Sequence, residues 1–286
     1  MAAAASDREI VLVDCPDEVG LIHRITGVLG GHRLNIESNH EFVDTAAGHF
    51  FFRAEVQPVD GPVPSAAVEA ELSRVLPAAA RVRVRRAERR PIVVCATREP
   101  HCLGELLLLD AVGELPGRIV GVVANHDDLR SLVERFGVPF HHVPHEGRSR
   151  EDHERAMLEA IDDHTPDYVV LARYMRVLSA AAIARYPDRI VNIHHSFLPA
   201  FAGASPYRQA FTRGVKLIGA TAHFVTEELD AGPIIAQDVT PVDHTFTPER
   251  MAQAGSDVEK LVLARAVRLV LEERVFLHGK RTVIFG

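Results

Sequence analysis

Residues 91–97 read PIVVCAT, an apolar run without the polar alternation of a half-exposed strand. Such a run fits a strand covered on both faces, as in a parallel sheet. Downstream, helix and strand patterns alternate: CLGELLLLDAVG (102–113), RIVGVVAN (118–125), DLRSLVERFG (128–137), PFHHVPH (139–145), REDHERAMLEAIDDH (150–164), DYVVLARY (167–174), SAAAIARYP (179–187) and RIVNIHHS (189–196). This order predicts a doubly wound, mostly parallel α/β sheet. KLIGATAHFV (216–225) and GPIIAQDVTPV (232–242) read as an antiparallel pair added at its edge. TPERMAQAGSDVEKLVLARAVRLVLEER (247–274) reads as one long helix or two shorter ones, with Val258, Leu261, Val262, Ala266 and Leu269 as its buried stripe. VFLHGKRTVIF (275–285) ends in a short strand.

Ahead of this region the pattern differs. REIVLVDC (8–15) is a strand, LIHRITGVLGGH (21–32) a helix, and NIESNHEFVD (35–44) with GHFFFRAEVQ (48–57) a hairpin. PSAAVEAELSRVL (64–76) is a second helix and ARVRVR (80–85) a closing strand. The order βαββαβ predicts a ferredoxin-like antiparallel sheet with two helices on one face. The predicted organisation is therefore a domain over 1–86, a linker over 87–91 and a larger domain over 92–286.

Composition narrows the class. The 286 residues are 47% apolar, and the net charge is −7. That charge gives no footprint for a phosphate backbone, so a nucleic-acid partner is not expected. RVRVRRAERR (81–90) is a local exception, read as a half-solvated strand running into the linker. No apolar stretch reaches the ~18–20 residues of a membrane span, and MAAAASDRE at the start lacks a signal-peptide pattern. Three cysteines without metal spacing fit a reduced, cytoplasmic setting. No P-loop, GxGxxG or GxSxG motif occurs. Of sixteen histidines, the dense spots are 141–145 and 194–195. Neighbours in a strand face opposite ways, so His194 and His195 do not make a metal pair, and no metal is expected.

Ligands of doubly wound sheets bind beyond the carboxyl ends of the strands. Asn192 and His194 stand there, two residues apart and so on one side of their strand. An amide donor, an imidazole and a carboxylate from ELDAG (228–232) suit acyl chemistry, where a carbonyl oxygen becomes an oxyanion and protons must move. A satisfied core histidine would explain His194 about as well.

NIHHSFLPAF (192–201) followed by GATAHFVTEELDAGPIIAQD (219–238) closely resembles the folate-dependent formyltransferase family. VVLARYMRVLS (169–179) resembles that family's folate-pocket segment, and LVDCPDEVGLIHRITGVLGGHRLNI (12–36) resembles an ACT domain, an amino-acid-sensing module. The resemblance implies Asn192, His194 and Asp230 as catalytic residues. It implies a pterin slot made by Met175, Arg176, Val177 and Leu178 with the backbone of Val225, Thr226, Glu227 and Leu229. His195, Ser196 and His223 fall around these. An amino-acid effector would meet the ACT turn at Asp14, Asp17 and Gly20, and self-association into a homo-oligomer is implied too.

Two departures carry weight. His195 stands where the transferases commonly have proline. Pro100, His101 and Cys102 replace a Gly/Ser-rich loop that holds a phosphorylated acceptor in glycinamide ribonucleotide transformylase. Without that nest of amides such an acceptor loses its anchor, and water needs none. The resemblance thus points to the deformylase branch: hydrolysis of 10-formyltetrahydrofolate to formate and tetrahydrofolate, tied to one-carbon metabolism and purine biosynthesis, with no cofactor. Formyl transfer to a small amine is the alternative, and a catalytically silent amino-acid-binding regulator is a more distant one.

Overall fold

A computed structural model describes residues 8–199 and 206–286. The start of the chain and the last two residues of NIHHSFLPAF lie outside the described residues. The chain divides into two compact units.

In the first, β1 (Glu9–Pro16), α1 (Leu21–Gly31), β2 (Leu34–Asp44), β3 (His49–Pro58), α2 (Ser65–Val75) and β4 (Arg81–Arg86) follow the expected βαββαβ order. The sheet runs β2-β3-β1-β4, with β1 antiparallel to both β3 and β4. On one face Val11, Val13, Phe50 and Phe52 pack with Leu21, Ile25 and Leu29 of α1 and Val68 and Leu72 of α2. On the other face lie Ile10, Leu12 and Phe51, and Phe276 and Phe285 from the end of the chain cover them. Coverage on both sides explains why Ile10–Val13 is a continuous apolar run.

This changes the boundary read from sequence. The expected second domain extended to 286, but Glu272–Phe276 and Val283–Gly286 belong to the first unit. Burying two phenylalanines stabilises this arrangement by roughly 1.5–3 kcal/mol each. Arg53, 1% exposed, anchors the segment. Its guanidinium donates to the carbonyls of Glu273 (3.0 Å) and Glu272 (2.8 Å) and to Glu55 (3.0 Å), so the buried charge is fully engaged.

The second unit holds β5 (Arg90–Ala96), α3 (Pro100–Ala111), β6 (Gly117–Ala124), α4 (Arg130–Arg135), β7 (Phe140–His142), α5 (Arg150–Asp162), β8 (Tyr168–Ala172), α6 (Ala180–Arg185) and β9 (Ile190–His194). After these come α7 (Pro206–Arg213), β10 (Leu217–Phe224), β11 (Ile234–Pro241) and α8 (Pro248–Leu271). A hairpin, β12 (Val275–His278) and β13 (Arg281–Ile284), ends the chain. The large sheet runs β11-β10-β9-β8-β5-β6-β7. Strands β5 to β9 are parallel, while β10 is antiparallel to both β9 and β11, as the edge pattern predicts. Val93, Cys95, Val169 and Leu171 pack with Met157 and Ile161 of α5. The alternate set Ile92, Val94 and Ala96 is buried too, so both faces of β5 are covered. The order reverses at β5, whose neighbours are β8 and β6, and that is where such sheets open a crevice.

Helix α8 is one helix of 24 residues, and its buried stripe is turned from the expected one. Met251, Gly255, Glu259, Val262, Leu263, Ala266, Val267 and Val270 face inward, while Leu261 is 57% exposed. A glutamate in the middle of the buried stripe hid the true phase. No helix among the described residues is long and apolar enough to cross a membrane.

Candidate active site

Strand β9 ends at His194, and β10 runs beside it in the opposite direction. The register sets Asn192 directly across from His223 and His194 across from Thr221. Directly opposed residues are close enough to bond. His223 Nδ1 lies 2.8 Å from the Phe224 carbonyl, which only accepts, so Nδ1 carries the hydrogen. Burial lowers the His223 pKa, so its ring is neutral and Nε2 is an acceptor. The Asn192 amide then donates from Nδ2 to His223 Nε2 over 3.2 Å. This bond fixes which way the Asn192 side chain faces.

The turn after β10 brings in the carboxylate. Asp230 sits at φ +55°, a left-handed conformation that asparagine and aspartate tolerate better than other side chains. Two residues on, a Cβ at Gly232 would stand 1.7 Å from the Phe224 carbonyl oxygen, so only glycine lets the turn fold back this tightly. Asp230 Oδ2 reaches within 3.3 Å of His194 Nδ1, and Oδ1 lies 3.8 Å from His223 Nε2. The bond with His194 holds the Asp230 carboxyl below its ordinary range, although burial pushes the other way. His194 Nε2 is buried and has no partner among the described residues. With Nδ1 given to Asp230, Nε2 is the atom left to serve a substrate.

These groups line a cleft of about 880 Å³, at the upper end of small-molecule sites. All eight residues expected for the pterin slot line it: Met175, Arg176, Val177 and Leu178 after β8, and Val225, Thr226, Glu227 and Leu229 after β10. Met175, Val177 and Leu229 leave more than half their surface exposed, giving the cleft an apolar mouth suited to a flat ring. The amide of Met175 donates to Thr97 Oγ1 at 3.1 Å, tying the β8 loop to that of β5.

His195 also lines the cleft, its ring 5.2 Å from that of His194. Burial, helped by the Arg173 charge, drives its pKa down to about 4. Ser196 is buried and does not line the cleft. Its carbonyl accepts from Thr221 Oγ1 (2.9 Å), and that oxygen accepts in turn from the Leu198 amide (3.0 Å). Ser196 thus shapes the exit of β9.

Arg173, Tyr207, Arg208 and Glu249 line the cleft as well, and nothing in the sequence singled them out. Tyr207 lies on α7. Behind it, His101, Cys102 and Glu259 form a group with metal-capable donor atoms. Those donors are already engaged: Glu259 accepts from His101 at 2.8 Å and from the Tyr207 hydroxyl, and Arg173 stands 3.4 Å away. Burial pushes the Cys102 thiol far up, away from the thiolate a metal would need.

In the first unit Asp17 is exposed and Gly20 caps α1 at φ +89°. Asp14 differs from expectation. It is 5% exposed, and Arg81 (2.7 Å) and His49 (3.3 Å) claim its carboxylate, so it pins strands β1, β3 and β4 together.

Comparison with known proteins agrees with this architecture. Residues 90–267 match the formyl transferase family and residues 10–70 match the ACT domain. A formyltetrahydrofolate deformylase of Escherichia coli K12 is 53% identical over 97% of this chain and 98% of its own. The crystal structure of a formyltetrahydrofolate deformylase from Pseudomonas syringae superposes with a TM-score of 0.93 at 41% identity, covering 98% of this chain and 95% of that one. A glycinamide ribonucleotide transformylase from Symbiobacterium toebii matches 69% of this chain and 95% of its own at 33% identity, with a TM-score of 0.66. The class is thus a formyl transferase-type catalytic domain joined to an ACT domain. Within it, the chain belongs to the formyltetrahydrofolate deformylase family.

Proposed function

We propose that this chain hydrolyses 10-formyltetrahydrofolate, releasing formate and tetrahydrofolate. One observation carries the mechanism: an Asp230–His194 pair at the cleft, with His194 Nε2 buried and unpaired, beside an Asn192 amide held in place by His223.

The pterin enters the slot between the loops after β8 and β10, and the formyl group lies over the end of β9. Asp230, kept ionised, takes a proton from water as its oxygen attacks the formyl carbon. Asn192 donates an amide hydrogen to the oxyanion. As imidazolium, His194 carries an N–H on both nitrogens. It gives one to Asp230, and from Nε2 it first stabilises the oxyanion and then protonates N10. The C–N10 bond breaks and tetrahydrofolate leaves as the amine. The formic acid left behind gives its proton to the bare His194 Nε2, becoming formate and restoring the imidazolium, and Asp230 loses to solvent the proton it took from water. Preorganised donors of this kind are each worth about 10²–10³ in rate. The test is formate release with no amine present. Formate that appears only when an amine is added would mean transfer instead.

The ACT unit binds an amino acid at the Asp17–Gly20 turn and changes the rate of the catalytic unit. Its long edge strand β2, with Phe42 45% exposed, supports pairing with a second copy. A folate substrate of one-carbon metabolism supports a cytoplasmic location.

A further inference from the structure

The cleft has a second polar wall that the mechanism above leaves unused. Arg173 follows β8 in a left-handed conformation, φ +60°, unusual for a long side chain. Its guanidinium Nε and Nη1 are buried and have no hydrogen-bond partner among the described residues. Arg173 Nε faces Glu259 Oε2 at 3.4 Å, but that oxygen already takes the His101 hydrogen. The other oxygen, Oε1, takes the Tyr207 hydroxyl. A Cβ at Gly255 would stand 2.1 Å from the Tyr207 ring, so this glycine is what seats the tyrosine there. Burial alone would push Glu259 up, but His101, Arg173 and Tyr207 together hold it ionised. The result is a guanidinium with its charge balanced and two buried N–H donors, at Nε and Nη1, without a hydrogen bond, an arrangement that costs stability unless an acceptor arrives.

Hydrolysis makes such an acceptor in this cleft. The formyl group enters neutral and leaves as an anion beside Asp230, whose carboxylate repels it once it has shed its proton. A planar carboxylate matches the end-on fork of Nη1 and Nη2 with two charge-assisted hydrogen bonds, leaving Nε toward Glu259. His195 lies between the two polar walls, its ring 5.2 Å from that of His194 and 6.2 Å from that of Tyr207. We propose that Arg173, backed by Glu259, is the subsite that takes the formate product, drawing it off the Asp230–His194 pair. The inference rests on the hydrolytic reading. Two other arginines line the cleft, but Arg208 is exposed and Arg176 half-buried, so they suit the outlying carboxylates of the folate.

The probe is ¹³C-formate, its line broadening measured with the full chain saturated with tetrahydrofolate. The wild type broadens the signal. Arg173→Gln should weaken formate binding roughly tenfold or more, and Arg173→Lys, which keeps the charge and loses the fork, roughly threefold. The lysine variant decides the matter if the glutamine variant does not fold. Unchanged formate affinity in the folded variants, or no binding by the wild type, overturns the proposal. So does a raised KM for 10-formyltetrahydrofolate but not for an analogue lacking the glutamate, which would assign Arg173 to the folate tail. Turnover is assayed on the same samples: a wild type that binds formate and releases none from the folate sinks the hydrolytic reading and leaves the subsite standing.

Discussion

His194 Nδ1 and Asp230 Oδ2 lie 3.3 Å apart, although 35 residues of chain separate them and Asp230 needs a left-handed backbone to get there. The pair leaves one imidazole nitrogen facing the cleft, and the chemistry follows from that placement.

Asp230→Asn removes the base and the charge that complements imidazolium. It should lower kcat by about 10²–10⁴, with little change in the dissociation constant of tetrahydrofolate. Steady-state rates and equilibrium binding check both halves. Near-normal turnover would mean another group handles the water.

Asn192→Ala removes one oxyanion donor and orphans the acceptor on His223. The expected loss in kcat is about 10²–10³. His223→Gln, by contrast, can still hold the Asn192 amide through its own carbonyl and should retain more activity. Equal damage in the two variants would contradict a merely orienting role for His223.

His195 titrates near 4 in the fold against an ordinary value of 6.5. Between those limits the unfolded chain binds the proton and the folded one does not, so stability falls as pH drops from about 6.5 to about 4. The slope from this one group is at most about 1.4 kcal/mol per pH unit. Urea denaturation across that range should show a flatter dependence in His195→Asn. An unchanged slope would contradict the burial assigned to this ring.

Gly232→Ala places a methyl 1.7 Å from the Phe224 oxygen, so the backbone must shift and carry Asp230 with it. We expect both a lower melting temperature and a kcat reduced at least 10²-fold, since a misplacement of about 1 Å can cost that much. A stable variant with full activity would show that the turn is not what positions the acid.

Much of this was legible in the sequence. The unbroken run at Ile92–Ala96 marked a doubly covered strand, and the spacing of Asn192 and His194 placed both on one side of β9 at the ligand end of the sheet. The residues alone reach only as far as a carboxylate in ELDAG; the resemblance singles out Asp230 and names the slot residues, which carry no such local signal. Arg173, Tyr207 and Glu259 were invisible because they meet across three distant segments. A glutamate within a helix reads as solvated, and that assumption also misplaced the α8 stripe. Phe276 and Phe285 fit any apolar core equally well, so their role under the first unit's sheet could not be read in advance. Asp14 was read as a turn residue because neither Arg81 nor His49 is near it in sequence.

The most direct test follows the oxygen. Incubated with 10-formyltetrahydrofolate in H₂¹⁸O and no amine, the chain should release formate carrying one ¹⁸O per turnover, with one equivalent of tetrahydrofolate, and Asp230→Asn should not. Formate without the label, or no formate until an amine is supplied, would contradict attack by water at this site.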